Sequence, residues 1–205
     1  MLNLSRKFLV LIAFVFVPAL LFGQEYDNGV GLRLGDPFGI TYKKYLSPTR
    51  AIEFIGGSSG NRWNAIYYKK SFGRINRFDD YLYYNHSLDY TIGFSARYLN
   101  HKKFSEDLDG GLQWYYGVGL HLRYASVEYE YIRREDIAEY QTADRFIEGH
   151  YNYDIGPEAI IGTEYTLYNS PITFFAEVSL FAEVVDNPLA LRFYGAFGIR
   201  YNWNK

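Results

Sequence analysis

The sequence predicts an all-β protein: an antiparallel, up-and-down transmembrane β-barrel of eight strands, with ten as the alternative. Two observations carry this. Segment after segment alternates large apolar or aromatic groups on one parity with Gly, charged or small polar groups on the other, which is the period of a strand. Aromatics make up 20% of the 205 residues, with 22 Tyr, 16 Phe and 19 Gly. The mean hydropathy is nevertheless slightly negative, at -0.23, and beyond residue 22 no apolar run is long enough to cross a bilayer as a helix.

The clearest segment is LQWYYGVGLHLRYASVEYEY, residues 112 to 131. Trp114, Tyr116, Val118, Leu120, Leu122 and Tyr124 share one parity; Gly117, Gly119, His121 and Arg123 share the other. From 114 to 124 the chain takes ten steps of about 3.3 Å, which at a tilt of roughly 40° rise about 25 Å, the height of an outer-membrane apolar band. Aromatics at both ends of that parity fit interfacial girdles, so the even face is expected to meet lipid. Trp114, Tyr116, Tyr124, Tyr201 and Trp203 are the expected girdle residues.

Alternation places strands at about 29–36, 38–47, 50–58, 87–100, 111–131, 152–168, 171–185 and 189–203. The turn chemistry of DPFG, SPTR, NSP and DNP separates several of them. A ninth alternating stretch, NAIYYKKSF at 64–72, would give an odd count, whereas bacterial single-chain barrels have an even one. Residues 62–86 are therefore read as an extension of the third strand and its outer loop. Outer loops fall at 59–86 and 132–151, and SPTR and NSP make short periplasmic turns. Pro157 lies inside a strand and cannot donate to a ladder, so a bulge or a position high on the strand is expected there.

Arg6 and Lys7 precede the apolar run of residues 8–22, and polar QEYDNG follows. This layout predicts a secretory signal over 1–23 and a barrel domain over 24–205. The chain has no Cys, which excludes a lipoprotein anchor, a disulfide framework and thiolate metal sites. A net charge of -2 without a basic block gives no nucleic-acid signal.

On the inward parity stand Arg33, Lys43, Glu53, Arg97, His121, Arg123, Glu158, Glu164, Glu177, Glu183, Arg192 and Arg200. An eight-stranded barrel is only wide enough for its side chains to fill, so these charges are expected to pair as an interlocked plug. A narrow polar pore is the alternative. Arg123, Arg192 and Arg200 are expected to meet Glu158, Glu164, Glu177 and Glu183 on adjoining strands.

GVGLRLGDPFGITYKKYL, AIEFIGG, LQWYYGVGLHL, DIGPEAIIGTEY and AFGIRYNW, in that order, resemble the small outer-membrane β-barrel proteins common in Bacteroidetes, barrels of the outer membrane protein A/X kind. The resemblance implies the outer membrane of a Gram-negative bacterium, insertion by the barrel assembly machinery and contact with outer-membrane lipid. It implies little about activity. Such barrels usually end on an aromatic residue, whereas here Asn204 and Lys205 follow Trp203.

The expected role is that of a structural or interaction protein, monomeric, contacting an unidentified extracellular ligand or protein through its outer loops. The alternatives are a small passive or solute-specific channel and a lipid-modifying enzyme. For the enzyme, His86 and Ser87 sit near a rim with Asp89 close by, but adjacent strand residues point to opposite faces. Glu177 and Glu183 are about 20 Å apart along a strand, too far for shared acid/base work. His101 and His150 fall in predicted loops, and no two His have the spacing of zinc ligands. No catalytic, cofactor or metal residue is assigned. If residues 1–23 are a cleaved signal, intact-mass analysis of membrane-extracted protein should find a chain beginning near Gln24; retention of Met1 would contradict it.

Overall fold

The computed structural model describes residues 26–60, 65–75, 78–104, 111–135, 144–185 and 188–205; the expected signal over 1–23 and most of DNP lie outside them. Eight antiparallel strands close into a barrel in sequence order: β1 (Asn28–Gly35), β2 (Phe38–Ser47), β3 (Arg50–Ser58), β4 (Tyr81–Lys103), β5 (Gly111–Arg133), β6 (Phe146–Thr166), β7 (Ile172–Ala182) and β8 (Leu191–Trp203). β8 closes on β1 through pairs from Asn28↔Trp203 to Gly35↔Ala196. Each strand is bonded on both sides over the barrel body, so that part of the sheet has no open edge.

The inside–outside rule of a soluble protein is inverted. Val118, Leu120, Phe193 and Phe197 are more than half exposed on the outer face, while Arg33, Lys43, Glu53 and Arg200 are at most 1% exposed within the lumen. Parity along each strand sets this, because a residue that faces outward is followed by one that faces the lumen.

Register fixes the dimensions. The paired line Val30–Tyr42–Phe54–Ala96–Leu120–Pro157, continued over β7 to Leu191, returns to the first strand's line about ten residues further on. Eight strands with a stagger of about ten give a tilt of roughly 43° and a radius of roughly 8 Å. Two glycines show how tight the interior is. A Cβ on Gly162 would lie 2.5 Å from the Tyr115 ring, and one on Gly198 would lie 2.5 Å from the Phe175 ring.

The strands differ greatly in length. β1 to β3 have 8, 10 and 9 residues, whereas β4, β5 and β6 have 23, 23 and 21. β4–β6 therefore continue as a three-stranded sheet beyond the outer rim. In that rise the inward parity changes from charged to apolar and aromatic: Arg123 is succeeded by Ala125, Val127, Tyr129 and Tyr131, all buried. With no opposite barrel wall there, the apolar face needs another cover. The helix α1 (Ala65–Phe72) supplies it, packing Tyr67, Tyr68 and Phe72 on that face. Tyr68 and Phe72 stand four residues apart on one side of the helix, and Lys69 and Lys70 fall in its last turn, where positive charge suits the helix dipole.

Several expectations are corrected. Residues 65–72 do lie in the connection between β3 and β4, but they are helical and do not extend the third strand, because their aromatics serve a helix face once β3 ends at Ser58. β4 runs from Tyr81 to Lys103 and β6 starts at Phe146, so His101 and His150 lie on strands. Pro157 produces no bulge: the β5–β6 register runs through it without a shift. On its other side the β6–β7 pairs begin only at Glu158, so Pro157 stands one residue past the outer end of that ladder. Register shifts occur instead at Tyr45/Ser47, Tyr83/Asn85 and Leu88/Tyr90.

Leu120 lies near the middle of the apolar band at 61% exposure. Leu120→Arg should therefore destabilise the folded barrel by roughly 2–4 kcal/mol in lipid, measured by urea unfolding from vesicles. Gly119→Arg should fail for the opposite reason, since a Cβ there already meets the Ala96 carbonyl at 2.6 Å.

Candidate functional site

The lumen holds two charge clusters, each electrically balanced. The deeper one joins Arg33, Lys43, Arg97 and Arg200 to Glu53, Glu158, Glu164 and Glu177 in one continuous chain. Arg97 grips Glu158 with two parallel bonds, Nε to Oε1 at 2.7 Å and Nη2 to Oε2 at 2.9 Å. Its Nη1 reaches Glu177 at 2.6 Å. Glu177 also accepts from Arg33 at 2.8 Å and from the Tyr115 hydroxyl at 2.7 Å. Arg200 bridges Glu53 at 2.5 Å and Glu164 at 3.2 Å, and Lys43 donates to Glu164 at 2.6 Å. Thr41 donates to Glu53 at 2.6 Å.

Aromatic rings fill the spaces between these ions. The Arg200 guanidinium lies 4.6 Å from the Phe175 ring centre and the Lys43 ammonium 4.7 Å from that of Tyr115. Desolvated cations are well placed on such rings. Bidentate geometry and multiple donors to each carboxylate are what a buried ion needs to offset its lost hydration.

The outer cluster joins Arg123 and Arg192 to Asp154 and Glu183. Arg123 Nε donates to Asp154 at 2.5 Å and Arg192 Nη1 to the same oxygen at 2.8 Å, while Arg192 also pairs with Glu183. This cluster anchors α1. The Tyr67 hydroxyl reaches Asp154 at 2.7 Å and Glu183 at 3.3 Å, and the Arg192 guanidinium lies 4.1 Å from the Tyr67 ring centre. Burial, and then the Asp154 carboxylate, push the Tyr67 hydroxyl above its ordinary range, so it remains a proton donor. Tyr68 accepts from Arg123 at 3.4 Å and packs 4.5 Å from the His86 ring. The helix therefore covers the outer mouth through both packing and hydrogen bonds.

Arg33, Lys43, Glu53, Arg97, His121, Arg123, Glu158, Glu164, Glu177, Glu183, Arg192 and Arg200 are all buried. Their pairing differs from the expected one in two respects. Glu158 and Glu177 are held by Arg97 and Arg33 rather than by Arg123, Arg192 or Arg200. Arg123 and Arg192 are held mainly by Asp154, a residue of inward parity that lies within the predicted strand at 152–168 but is not among the predicted lumen charges. His101 was also missed, having been placed in a turn: it is buried, with Nε2 3.4 Å from Glu164. Glu177 and Glu183 are not brought together and belong to different clusters.

His86 and Ser87 do not meet either. His86 Nδ1 lies 2.6 Å from the Tyr83 hydroxyl, and Ser87 donates to Glu128 at 3.3 Å. A different Ser–His contact exists in the lumen, Ser95 Oγ to His121 Nδ1 at 2.8 Å. Ser95 is fully buried there, and Phe181 closes over the imidazole at 5.2 Å, so the arrangement offers a substrate no approach.

The girdle residues fall into two rings. Trp114 and Tyr116 pack together at 5.5 Å with Lys102 over both, and Trp203 lies 6.4 Å from Tyr42 near Tyr201 at the same end. Tyr124 belongs to the opposite end, where it gathers Tyr90, Tyr151 and Tyr153 at 5.7, 5.6 and 5.1 Å.

No protein-family model and no curated protein matches the sequence at a significant level. Among solved structures the chain is similar to Ail, the attachment invasion locus protein of Yersinia pestis, at 8% identity and a TM-score of 0.44, over 86% of this chain and 95% of that one.

Glu177 accepts from two guanidiniums and a phenol, so Glu177→Ala should leave Arg33 and Arg97 short of a partner and cost about 3–5 kcal/mol. Exposed Glu135, paired with Arg133 at 3.5 Å, is the reference: Glu135→Ala should cost about 0–1 kcal/mol. Equal losses in urea unfolding would show that the lumen is hydrated.

Proposed function

We propose that this protein is a non-conducting barrel of a Gram-negative outer membrane, monomeric in the lipid, whose work is done by the surface it raises above the membrane. The observation that carries the reading is the lumen. Its ions are balanced within each cluster, aromatic rings pack between them, and α1 sits over the outer mouth. A solute would have to break several buried ion pairs to pass, each a loss of several kcal/mol.

What is left to interact is the rise of β4–β6, with α1 on its inner face and with strand edges above Gly93 of β4 and above Ile155 of β6, where Val184 makes its backbone bond to β6. Such a surface suits an extracellular protein or ligand met through the outer loops and strand edges. The five motifs that resemble the small Bacteroidetes outer-membrane barrels support the location and an insertion route through the barrel assembly machinery. The reading includes no enzymatic step and no nucleic-acid partner.

Planar-bilayer recording on the reconstituted chain should show no steady single-channel current. Glu177→Ala should destabilise the barrel without giving one, because the remaining ions and rings still fill the bore. A steady open-channel current from the unmodified chain would overturn this reading in favour of a narrow channel.

A further inference from the structure

The barrel wall is uneven in height, and the unevenness falls at bilayer level. With strands tilted by roughly 43°, each residue along a strand climbs about 2.4 Å, and each step to the next paired strand in the order β1 to β8 climbs about 3 Å. On that scale Lys102, Trp114, Tyr165 and Tyr201 share one level. Tyr90, Tyr124 and Tyr153 share another, roughly 25 Å higher, the height of the apolar band. The Asp36–Pro37 turn of β1–β2 and the end of β3 at Ser58 lie roughly 8–10 Å below those outer tyrosines. The wall of β1–β3 thus ends inside the hydrocarbon layer, while β4 climbs on past Gly93 without a β3 partner.

The step between the low wall and β4 holds a cavity of about 450 Å³, lined in part by Asp36, Phe38, Ser58, Asp89, Tyr90 and Thr91; among the described residues no Lys, Arg or His lines it. Asp36 accepts from Ser59 Oγ at 2.5 Å and Asp89 from Ser126 Oγ at 3.2 Å. Neither carboxylate has an ion-pair partner among the described residues. The lumen cations whose charge acts on Asp36, namely Arg123, Arg33 and Arg192, are already engaged by Asp154, Glu177 and Glu183. Asp89 is the extra residue at the Leu88/Tyr90 register shift, and such a bulge re-aims a side chain.

On this scale Asp36 lies below the outer tyrosines and Asp89 level with them; an ionisable group below the interface is costly and marks function, and strand edges in hydrocarbon must be covered. We infer that this step binds a membrane amphiphile with an ammonium head group. The ammonium sits between Asp36 and Asp89, within reach of the Ser58 and Thr91 hydroxyls, which are 3.4 Å apart. The acyl chains lie along Phe38, Ile92 and Phe94, all exposed on the lipid face. An amphiphile with a purely anionic head is repelled by the same two carboxylates.

The inference rests on the barrel lying in a bilayer, which protease protection of the reconstituted vesicles tests separately. The full chain is placed in phosphatidylglycerol vesicles carrying a minor fraction of phosphatidylethanolamine, extracted in mild detergent, and its retained lipids are read by native mass spectrometry. Phosphatidylethanolamine should be enriched on the barrel by about tenfold or more over its share of the vesicle, the scale of one charge-assisted contact. Asp89→Asn, at an exposed position, should fold normally and lose most of that enrichment. Asp36→Asn with Asp89→Asn should abolish it, and Glu128→Gln, outside the cavity, should leave it unchanged. Absence of enrichment on a protected, inserted chain, or enrichment unaltered in Asp89→Asn, would overturn the site. A chain that fails to insert would overturn the membrane reading and the site with it.

Discussion

Charge desolvation inside a bore of roughly 8 Å radius is the constraint on which the rest of this structure depends. At that width the side chains themselves must fill the interior, so every ion placed there gives up bulk water and needs an opposite charge at contact distance. The deeper chain from Glu158 through Arg97, Glu177 and Glu53 to Arg200, Glu164 and Lys43 meets the requirement by sharing. Arginines dominate the cationic side, and the planar guanidinium suits this duty because it can grip two carboxylates at once. Glycine on the same parity follows from the same crowding: Gly162 and Gly198 stand where Tyr115 and Phe175 need the space.

The change in the inward parity with height has one physical cause. Within the ring, an inward side chain faces other inward side chains, and charges can find partners across the bore. Above the ring, β4–β6 have no opposite wall, so the same parity carries Val127, Tyr129 and Tyr131 and is covered by α1. The helix is joined to the barrel at the boundary, where Tyr67 meets Asp154 and Glu183. Capping the lumen and covering the raised sheet are therefore one arrangement. The low wall at β1–β3 is its counterpart: the chain that could have lengthened β3 goes instead into α1, and β4 is left with an edge and a polar step beside it.

Much of this was legible in the chain. Strict alternation sorts Leu120 from Gly119 and Phe197 from Gly198 with no knowledge of partners, since a strand offers only two faces. Strand number followed from the same pattern together with the even-count rule, and the balance of signs on the inward parity implied a plug rather than a pore. Asp154 was within reach of the same logic, had the even register of β6 been followed two residues outward from Gly156. His101 needed only the recognition that HKK continues β4.

Other features were not legible, for a physical reason. The stretch NAIYYKKSF alternates well enough to pass for a strand, because a short aromatic run satisfies period two and a helix face almost equally. What decides between them is the bare aromatic face of β5 above the rim, a surface made by strands distant in sequence. The pairing of Arg123 and Arg192 with one carboxylate, and the step at Asp36 and Asp89, likewise depend on stagger, which is a property of the closed ring. By itself, then, the sequence determined which side of each strand faces outward and which charges are confined in the bore, since both are consequences of local parity. The tertiary structure alone decided who pairs with whom, where the wall stops and what covers it, because those depend on a register that is set only when β8 closes on β1.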